Sequence, residues 1–402
     1  MNPKSYPKMR LLELSGTPFD MGRQHGLAYP EEIKALAEDR LQLSSSTAWT
    51  GKEFSRQQVL DLGRACLPYH QAYAPDLMEE LRGVSEVTGL GLAELVILNG
   101  FTDFIDLVYN ADAVFLSTQA TETAAHPAGD DCTAFIVQPD ITAEGQGFYG
   151  QTWDMHETAT PFVILLHGRP EQGLNFLALT IIGCVGMIGM NEAGIAIGIN
   201  NLVDRQGQVG VTWPFVVRQI LAQDNLDDAL ACITGARLAG AHNYMLVDAS
   251  GRGYNVEAMA TRYHVDEIEA GAFVHTNHCL LPQTCQVERP RLPQSKLSSE
   301  TRLSRGQMLL DAGQITLADL IALTRDHGAS NGICVHPDEP FFVESCAAAI
   351  MRPATREMWA VWGNPCVNEY VKFVVDGEDA KPINGFSVTQ GANGDAYLSP
   401  DD

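Results

Sequence analysis

The hydrophobic pattern of this 402-residue chain changes abruptly part of the way along it. Apolar residues recur at helical spacing through most of residues 1–120, whereas short apolar runs bounded by turn residues dominate after position 132. Residues 117–131 are rich in Ser, Thr, Gln, Ala, His, Pro and Gly, a composition typical of a linker. We therefore predict a layered α+β fold, with a mainly helical N-terminal segment at 1–131 and a sheet-rich domain at 132–402.

The same periodicities predict the individual elements. Helices are predicted at residues 30–43, 56–73, 75–84, 92–98, 212–222, 226–234, 302–312 and 317–325. Strands are predicted at residues 133–138, 147–152, 162–167, 175–182, 185–190, 194–199, 244–247, 253–257, 348–352 and 358–361. Residues 376–402 are acidic and show no clear period, so we expect a loosely ordered tail there.

Charge excludes two classes of partner. Lys and Arg total 26 against 50 Asp and Glu, and the net charge of −24 repels nucleic acid and anionic membranes. One uncharged tract, residues 173–191, approaches the length of a membrane span, but its Gly-flanked apolar runs favour buried strands.

The first residues and the cysteines indicate the compartment. Pro3 and Pro7 stand in a start that lacks an apolar stretch, so we expect no export signal. The nine cysteines show no paired spacing, which then indicates reduced thiols in the cytoplasm.

Cys132 is the residue that points most directly to chemistry. It follows the linker and directly precedes the first predicted strand. If the peptide bond before it is strained and exposed, its thiol can attack the carbonyl carbon of Asp131, and hydrolysis of the thioester makes Cys132 a new N-terminus. An α-amine has a reference pKa of about 7.7 to 8.0 and can act as the base for the thiol. The competing interpretation is an inert buried strand cysteine.

Several short motifs, in order, resemble those of one enzyme family. They are the Gly-rich stretch 16–26, Asp131-Cys132-Thr133, Gln-Thr-Trp-Asp at 151–154, Gly-Met-Asn-Glu-Ala-Gly-Ile at 189–195 and His-Thr-Asn-His at 275–278. The set resembles the acyl-coenzyme A:6-aminopenicillanic acid acyltransferase-like family of cysteine N-terminal nucleophile (Ntn) hydrolases. This resemblance implies a four-layer αββα sandwich. It also implies self-cleavage between Asp131 and Cys132 into α and β fragments that stay associated.

The resemblance also implies roles for single residues. Cys132 is the nucleophile, Asp154 holds its α-ammonium group, and the side-chain amide of Asn277 donates to the oxyanion. Asp154 as an ordinary turn residue is the alternative. Substrate-pocket residues are predicted at Thr152, Trp153, Asn191, Asn200 and His278, although Asn191 reads mainly as a turn former.

The chain departs from the family pattern at one position. Val335 stands where many members carry Arg. Arg302, Arg305 and Arg325 are candidates to replace that Arg, with surface positions on helices as the alternative.

These residues together predict a self-processing cysteine amidohydrolase or acyltransferase acting on a linear amide of a small molecule, with hydrolysis favoured. We expect no cofactor and no metal. Acyl-coenzyme A is expected only as a possible acyl donor. The sequence leaves open whether the protein forms a homo-oligomer. Two other classes also stay open. One is a zinc-dependent hydrolase using His275, His278 and Cys279, and the other is an uncleaved, non-catalytic binding protein.

Overall fold

The computed structural model describes residues 4–111, 132–311, 313–328, 331–338, 341–375, 386–390 and 396–400. The predicted linker at 117–131, with the cleavage position Asp131, lies outside the described residues. The α-helices are α1 (Pro18–Ala28), α2 (Pro30–Ser45), α3 (Thr47–Thr50), α4 (Arg56–Tyr73), α5 (Pro75–Thr88), α6 (Leu92–Leu98), α7 (Phe101–Tyr109), α8 (Trp213–Ile220), α9 (Leu226–Thr234), α10 (Pro282–Cys285), α11 (Pro293–Leu310) and α12 (Leu317–Thr324). The strands are β1 (Leu11–Gly16), β2 (Thr133–Val137), β3 (Phe148–His156), β4 (Val163–Pro170), β5 (Phe176–Ile181), β6 (Ile188–Asn191), β7 (Ala196–Asn201), β8 (His242–Val247), β9 (Gly253–Ala258), β10 (Tyr263–Ile268), β11 (Ala272–His275), β12 (Val343–Arg352), β13 (Glu357–Trp362), β14 (Val371–Val374), β15 (Phe386–Gln390) and β16 (Ala396–Pro400).

Two stacked sheets form the centre of the described structure. The large sheet has ten strands in the order β10-β9-β8-β7-β6-β5-β4-β1-β16-β15, and the small sheet has six in the order β11-β2-β3-β12-β13-β14. Strands β2 and β3 contact β7 and β8 across the interface. Helices α11 and α12 pack on the small sheet, and α8 and α9 pack on the large one. This arrangement confirms the predicted αββα sandwich.

Strand β2 is buried on both faces, and its alternation determines where Cys132 points. Ala134 and Ile136 belong to the large core that includes the space between the sheets. Phe135 and Val137 belong to a second core beneath α11 and α12. Side chains of a strand alternate between its two faces, so Cys132 shares the face of Ala134 and belongs to the same large core.

A glycine permits the close approach of the sheets beside this site. A Cβ atom at Gly198 in β7 would lie 1.9 Å from the Tyr149 hydroxyl oxygen and 2.3 Å from Gln151 Oε1. The space is used by Gln151, whose Oε1 accepts from the Ile199 backbone nitrogen at 3.0 Å and whose Nε2 donates to the Ile199 carbonyl oxygen. The side chain of β3 thus joins the backbone of β7 across the interface.

The N-terminal segment contributes a strand as well as helices. Strand β1 pairs in parallel with β4, from Leu11 opposite Leu165 to Gly16 opposite Pro170. Helix α1 packs on both strands. The sequence predicts only helices here, because six residues without clear alternation give little strand signal. Residues 1–131 therefore share a sheet with residues 132–402.

Two further regions compare differently with the sequence predictions. Strands β15 and β16 pair in antiparallel fashion within residues 376–402, where a loosely ordered tail is predicted. The tract 173–191 supplies β5 and β6, which confirms buried strands there. Within the part of the chain that the structure describes, no helix has both the length and the apolar character needed to cross a bilayer.

Candidate active site

Cys132 lies one residue before β2, and three other parts of the chain bond its backbone. Its backbone nitrogen donates to Asn277 Oδ1 at 2.7 Å. Its carbonyl oxygen accepts from Asn200 Nδ2 at 3.1 Å and from Arg302 Nη1 at 2.7 Å. The residue is only 2% exposed. Strand β7, helix α11 and the segment after β11 therefore all hold the backbone of this cysteine.

The β2–β3 hairpin brings Asp154 to Cys132. Its register places Thr133 opposite Thr152. The Cys132 thiol donates to the Asp154 backbone carbonyl at 3.9 Å. The Asp154 carboxylate accepts from Ser345 Oγ at 2.6 Å and from Thr152 Oγ1 at 3.3 Å. These two hydroxyl donors stabilise the charged form of a fully buried carboxylate.

A β-bulge aims Ser345 at Asp154. Strand β12 pairs Ser345 with Asp154, then skips Cys346 before the pairing of β12 and β3 resumes. Ser345 Oγ also accepts from the Val335 backbone nitrogen at 2.9 Å, and the Ser345 backbone nitrogen donates to the Val335 carbonyl at 2.9 Å. Bulges often redirect a side chain beside an active site. At position 335, where many family members carry Arg, this chain thus uses backbone groups to support Ser345.

Asn277 presents its oxygen to the cysteine. Asn277 Oδ1 accepts from the Cys132 nitrogen and from Arg302 Nη2 at 3.0 Å. Its Nδ2 donates to the Asn201 carbonyl at 3.1 Å, and its backbone nitrogen donates to Ser299 Oγ at 2.9 Å. The sequence predicts that the Asn277 amide NH₂ group faces an oxyanion. In this structure that group bonds β7 instead.

Arg302 is the residue whose importance the sequence understated. It lies on α11, is fully buried, and donates through Nη1 to both the Cys132 carbonyl and Thr133 Oγ1, the latter at 3.0 Å. Its Nε donates to Ser298 Oγ at 3.3 Å. A guanidinium group offers five donors in a fixed plane, so one side chain can serve the backbone, Thr133 and Asn277 together. No motif marks the residue, because α11 is poor in apolar residues and reads as an exposed helix.

The other two candidate arginines bond elsewhere. Arg305 pairs with the Asp326 carboxylate at 2.6 and 3.0 Å. Arg325 donates to the carbonyl oxygens of Pro365 and Asn368 at 2.8 and 3.2 Å. Of the three, only Arg302 makes these contacts with Cys132.

Two of the predicted pocket residues contact the cysteine strand. Thr152 Oγ1 accepts from the Thr133 backbone nitrogen at 3.3 Å while it donates to Asp154. Asn200 Nδ2 reaches Cys132, and Asn200 Oδ1 has no hydrogen-bond partner among the described residues although it is buried. Both side chains are therefore part of the Cys132 site.

Trp153 and Asn191 serve other parts of the fold. Trp153 lines a small cavity of about 30 Å³ together with Phe101 and Trp213. Asn191 Nδ2 donates to the carbonyls of Leu221 and Gln223 at 3.1 and 2.7 Å, and its Oδ1 accepts from Ile195 in its own turn at 3.0 Å. These contacts are those of a turn former that also ties the end of α8 to the sheet.

His275, His278 and Cys279 do not converge on a common point. His275 Nε2 lies 3.1 Å from Glu257 Oε1, and its Nδ1 lies 2.7 Å from the Thr276 carbonyl. Cys279 Sγ contacts the Met259 sulfur at 3.8 Å. These contacts indicate a buried His–Glu pair.

The charges of this region follow from burial. Burial raises the pKa of Glu257, but hydrogen bonds from His275 and Thr284 outweigh it, so the net pKa is lowered. Burial, with the electrostatic effect of the neighbouring His275, Arg291 and Arg302, lowers the pKa of His278 to about 4. His278 is therefore neutral near pH 7, and its Nδ1 lies 2.7 Å from Ser299 Oγ.

A pocket of about 570 Å³ adjoins the site. It is lined by residues of α11, of the segment between α12 and β12 and of the start of β12, including Ser295, Ser298, Val335, Phe341 and Val343. Ser298 bonds Arg302, and Val335 bonds Ser345. The pocket lining therefore contacts Arg302 and Ser345, the residues that bond Cys132 and Asp154. Its size suits a small organic group.

The chain is similar in sequence to known proteins. The family model for acyl-coenzyme A:6-aminopenicillanic acid acyl-transferase matches residues 141–366, which begins after Cys132. An uncharacterized protein of Archaeoglobus fulgidus is 25% identical over 271 residues, which cover 63% of this chain and 44% of that protein. The acyl-coenzyme A:6-aminopenicillanic-acid-acyltransferase 40 kDa form of Emericella nidulans is 26% identical over 270 residues, 66% of this chain and 68% of that one. The match to the first relative thus spans less than half of its length.

Two solved structures are similar to part of this chain. A variant of conjugated bile acid hydrolase from Clostridium perfringens has 12% identity and a TM-score of 0.40, covering 61% of this chain and 97% of that one. Penicillin V acylase from Agrobacterium tumefaciens has 13% identity and a TM-score of 0.38, covering 67% of this chain and 98% of that one.

Proposed function

Because this chain belongs to the acyl-coenzyme A:6-aminopenicillanic acid acyl-transferase family, we propose that it is a self-processing Ntn enzyme that cleaves or forms linear amide bonds through Cys132. The observation that carries the proposal is the set of contacts on this one residue. Asn277 Oδ1 lies 2.7 Å from its nitrogen, and Asn200 and Arg302 donate to its carbonyl oxygen. Burying polar side chains is costly, and an inert strand cysteine does not require three of them to bond its backbone.

The first step of the proposal is cleavage of the chain. The Cys132 thiol attacks the carbonyl carbon of Asp131, the peptide C–N bond breaks, and the Cys132 nitrogen takes the thiol proton. Water then hydrolyses the thioester, which gives a carboxylate on Asp131 and regenerates the thiol. Asn277 Oδ1 is already positioned to accept a hydrogen bond from the new amine. The products are fragments of 131 and 271 residues.

The second step is turnover of the substrate amide. The neutral α-amine takes the thiol proton, and the thiolate attacks the acyl carbon of the substrate. The ammonium then protonates the leaving amine as the C–N bond breaks and a thioester forms. Water, or an acceptor amine in acyl transfer, releases the acyl group and restores the thiol. We favour hydrolysis, since transfer needs a site that excludes water and holds a second amine.

Different polar groups of the site stabilise the oxyanion and the α-ammonium group. Asn200 Nδ2 already donates to a carbonyl oxygen at residue 132, so we assign the oxyanion donor to Asn200 and the amine acceptor to Asn277. The Asp154 carboxylate, held by Ser345 and Thr152, supplies the negative charge that stabilises the ammonium form. These assignments exchange the role that the sequence predicts for Asn277.

Intact-mass analysis tests the proposal. Active wild-type protein should give two masses, for fragments of 131 and 271 residues. Cys132→Ala should remain at full length and hydrolyse none of a panel of chromogenic linear amides. Cys132→Ser should cleave slowly, because a hydroxyl group is a weaker nucleophile than a thiolate.

The matched control is Cys66→Ala, which removes an equally buried thiol from α4. It should cleave and turn over amides like the wild type. An active wild-type preparation that shows one full-length mass would contradict self-processing, and amidase activity in Cys132→Ala would contradict the nucleophile. An uncleaved binding protein predicts one mass and no turnover.

A further inference from the structure

A second cluster of chemically active side chains lies outside the Cys132 site. His327, Cys334, His336 and Cys366 each offer one metal-ligand atom, and these four atoms lie within 4.8 Å of one another. Nε2 of His327 and Nε2 of His336 are 2.9 Å apart. His336 Nε2 is 3.4 Å from Cys366 Sγ and 3.9 Å from Cys334 Sγ.

These distances fit a tetrahedral site. With Zn–N bonds of about 2.0 to 2.1 Å and Zn–S bonds of about 2.3 Å, the edges of a Cys₂His₂ tetrahedron are about 3.3 to 3.8 Å. The observed separations of 2.9, 3.4 and 3.9 Å bracket that range. Small side-chain rotations are therefore enough to place four ligands around one ion.

The backbone brings distant residues of the cluster together. The segment after α12 turns back so that the Cys334 nitrogen donates to the Asp326 carbonyl at 2.9 Å. A Cβ atom at Gly332 would lie 2.3 Å from the His327 backbone, so only glycine allows this close turn. Cys366 arrives separately, on the segment between β13 and β14.

We propose that His327, Cys334, His336 and Cys366 bind one Zn²⁺ ion in a structural site. Two thiolates and two imidazoles are the ligand types that zinc prefers, and a set of four protein ligands leaves no open position for substrate or water. The site differs from the His275, His278 and Cys279 set weighed from the sequence, and it replaces the expectation that the protein has no metal.

The ion would stabilise one wall of the pocket that adjoins the Cys132 site. His327, Cys334, Val335 and His336 all line the pocket of about 570 Å³. Val335, between two ligands, bonds Ser345, which in turn bonds Asp154. The Val335 carbonyl also accepts from Asn364 Nδ2 at 2.8 Å, close to Cys366 in the chain. The ion would thus join the segments after α12 and after β13 where they support the catalytic carboxylate.

Metal analysis of the full chain tests this site directly. Protein purified without chelator from zinc-supplemented medium should hold about one Zn²⁺ per chain by mass spectrometry. Replacement by Co²⁺ should give a thiolate-to-cobalt charge-transfer band and the intense visible absorption of a tetrahedral complex. Removal of the zinc should lower Tm by roughly 5 to 10 °C. None of these readouts depends on amide turnover, so failure here leaves the proposed function untouched.

Variants identify the ligands. Cys366→Ser and His327→Ala should lose zinc on dialysis against a chelator that the wild type resists, and Co²⁺ bound to Cys366→Ser should show a weaker charge-transfer band. The controls are Cys232→Ser, which is half-buried on α9, and His264→Ala in β10; both should keep the full zinc content. Because His327 is exposed, His327→Ala should fold even if Cys366→Ser does not.

Three results would overturn the proposal. The first is zinc-free wild type that does not take up added Zn²⁺ with its thiols reduced. The second is a disulfide between Cys334 and Cys366 in the protein as isolated under reducing conditions. The third is full zinc retention by both ligand variants.

Discussion

Arg302 Nη1 lies 2.7 Å from the Cys132 carbonyl oxygen, and both residues are buried. The same guanidinium group also bonds Thr133 and Asn277. A fixed positive charge at this place stabilises negative charge that develops near the cysteine in both proposed reactions. Arg302 thus joins helix α11, strand β2 and the Asn277 amide around Cys132.

Arg302→Ala should slow both self-cleavage and amide turnover, each on the order of a hundredfold, because four buried acceptors lose a charged donor. Arg302→Lys should recover part of the rate, since an ammonium group restores the charge without the planar set of donors. The rate of appearance of the 271-residue fragment and kcat/KM measure the two effects.

Lys296→Ala is the control for Arg302, because Lys296 lies on the same helix with a side chain 63% exposed. It should leave both rates unchanged. If Arg302→Ala cleaves and turns over at wild-type rates while it stays folded, the buried guanidinium has no part in the chemistry.

Substitution of Asn200 should affect catalysis, whereas substitution of Asn191 should affect stability. Asn200→Ala removes the donor beside Cys132 and should lower kcat about a hundredfold with little change in KM. Asn191→Ala removes three buried hydrogen bonds from a turn and should lower the free energy of unfolding by about 2 to 3 kcal/mol while kcat stays close to wild type. Thermal unfolding and steady-state kinetics on both variants check the contrast, and an exchange of the two phenotypes would refute it.

Ser345 should act on catalysis through Asp154. Asp154→Asn keeps the shape but removes the charge, and we expect kcat to fall about a hundredfold. Ser345→Ala keeps the charge and removes one hydroxyl donor, so the carboxylate should bind a proton more readily and the acidic limb of the kcat/KM profile should move to higher pH. A purely structural Ser345 would lower Tm without moving that limb. Thr158→Ala, a hydroxyl deletion outside the Cys132 contacts, serves as the comparison.

Stability should fall as pH falls below about 6.5. Burial lowers the pKa of His25 and His70 to about 4 and that of His242 to about 3, from an ordinary value of 6.5. Between these pH values the unfolded chain binds protons that the folded chain does not. Each histidine therefore lowers the free energy of unfolding by up to about 1.4 kcal/mol for each pH unit of acidification. Unfolding curves from pH 8 to pH 5 measure the slope.

His25→Gln isolates one of these contributions. His25 Nε2 accepts from the Gly183 backbone nitrogen at 2.9 Å, and a glutamine oxygen can replace it as acceptor. In this pH range the variant should take up one proton fewer on unfolding than the wild type, so its unfolding free energy should depend less steeply on pH. An unchanged slope would mean that His25 is not kept neutral by the fold.

Local patterns in the sequence are enough to predict much of the fold. Short apolar runs bounded by turn residues predict β2, β5 and β8, and the ordered motifs predict that Cys132, Asp154 and Asn277 lie in one site. Contacts in the structure bring Cys132 into hydrogen-bond contact with both other residues. Local patterns are thus informative where one strand or turn determines the position of a residue.

Long-range packing determines what the sequence did not reveal. Arg302 is buried only because α11 covers β2, and no local period records that contact. The orientation of the Asn277 amide depends on the Asn201 carbonyl of another sheet. The four proposed zinc ligands have irregular spacing, and Cys366 meets the other three only through the pairing of β12 with β13. Each of these depends on tertiary structure.

The parallel pairing of β1 with β4 would keep the two fragments together after a cut before Cys132. A cut before Cys132 would sever the covalent chain but leave Leu11–Gly16 hydrogen-bonded beside residues 165–170, so the small fragment would remain as a permanent structural subunit. The large fragment made alone would expose the edge of β4, an invitation to aggregate. If the chain cleaves itself before Cys132, the cleaved form should therefore be produced from the full-length chain, because fragments of 131 and 271 residues made separately would each lack the strand with which they pair here.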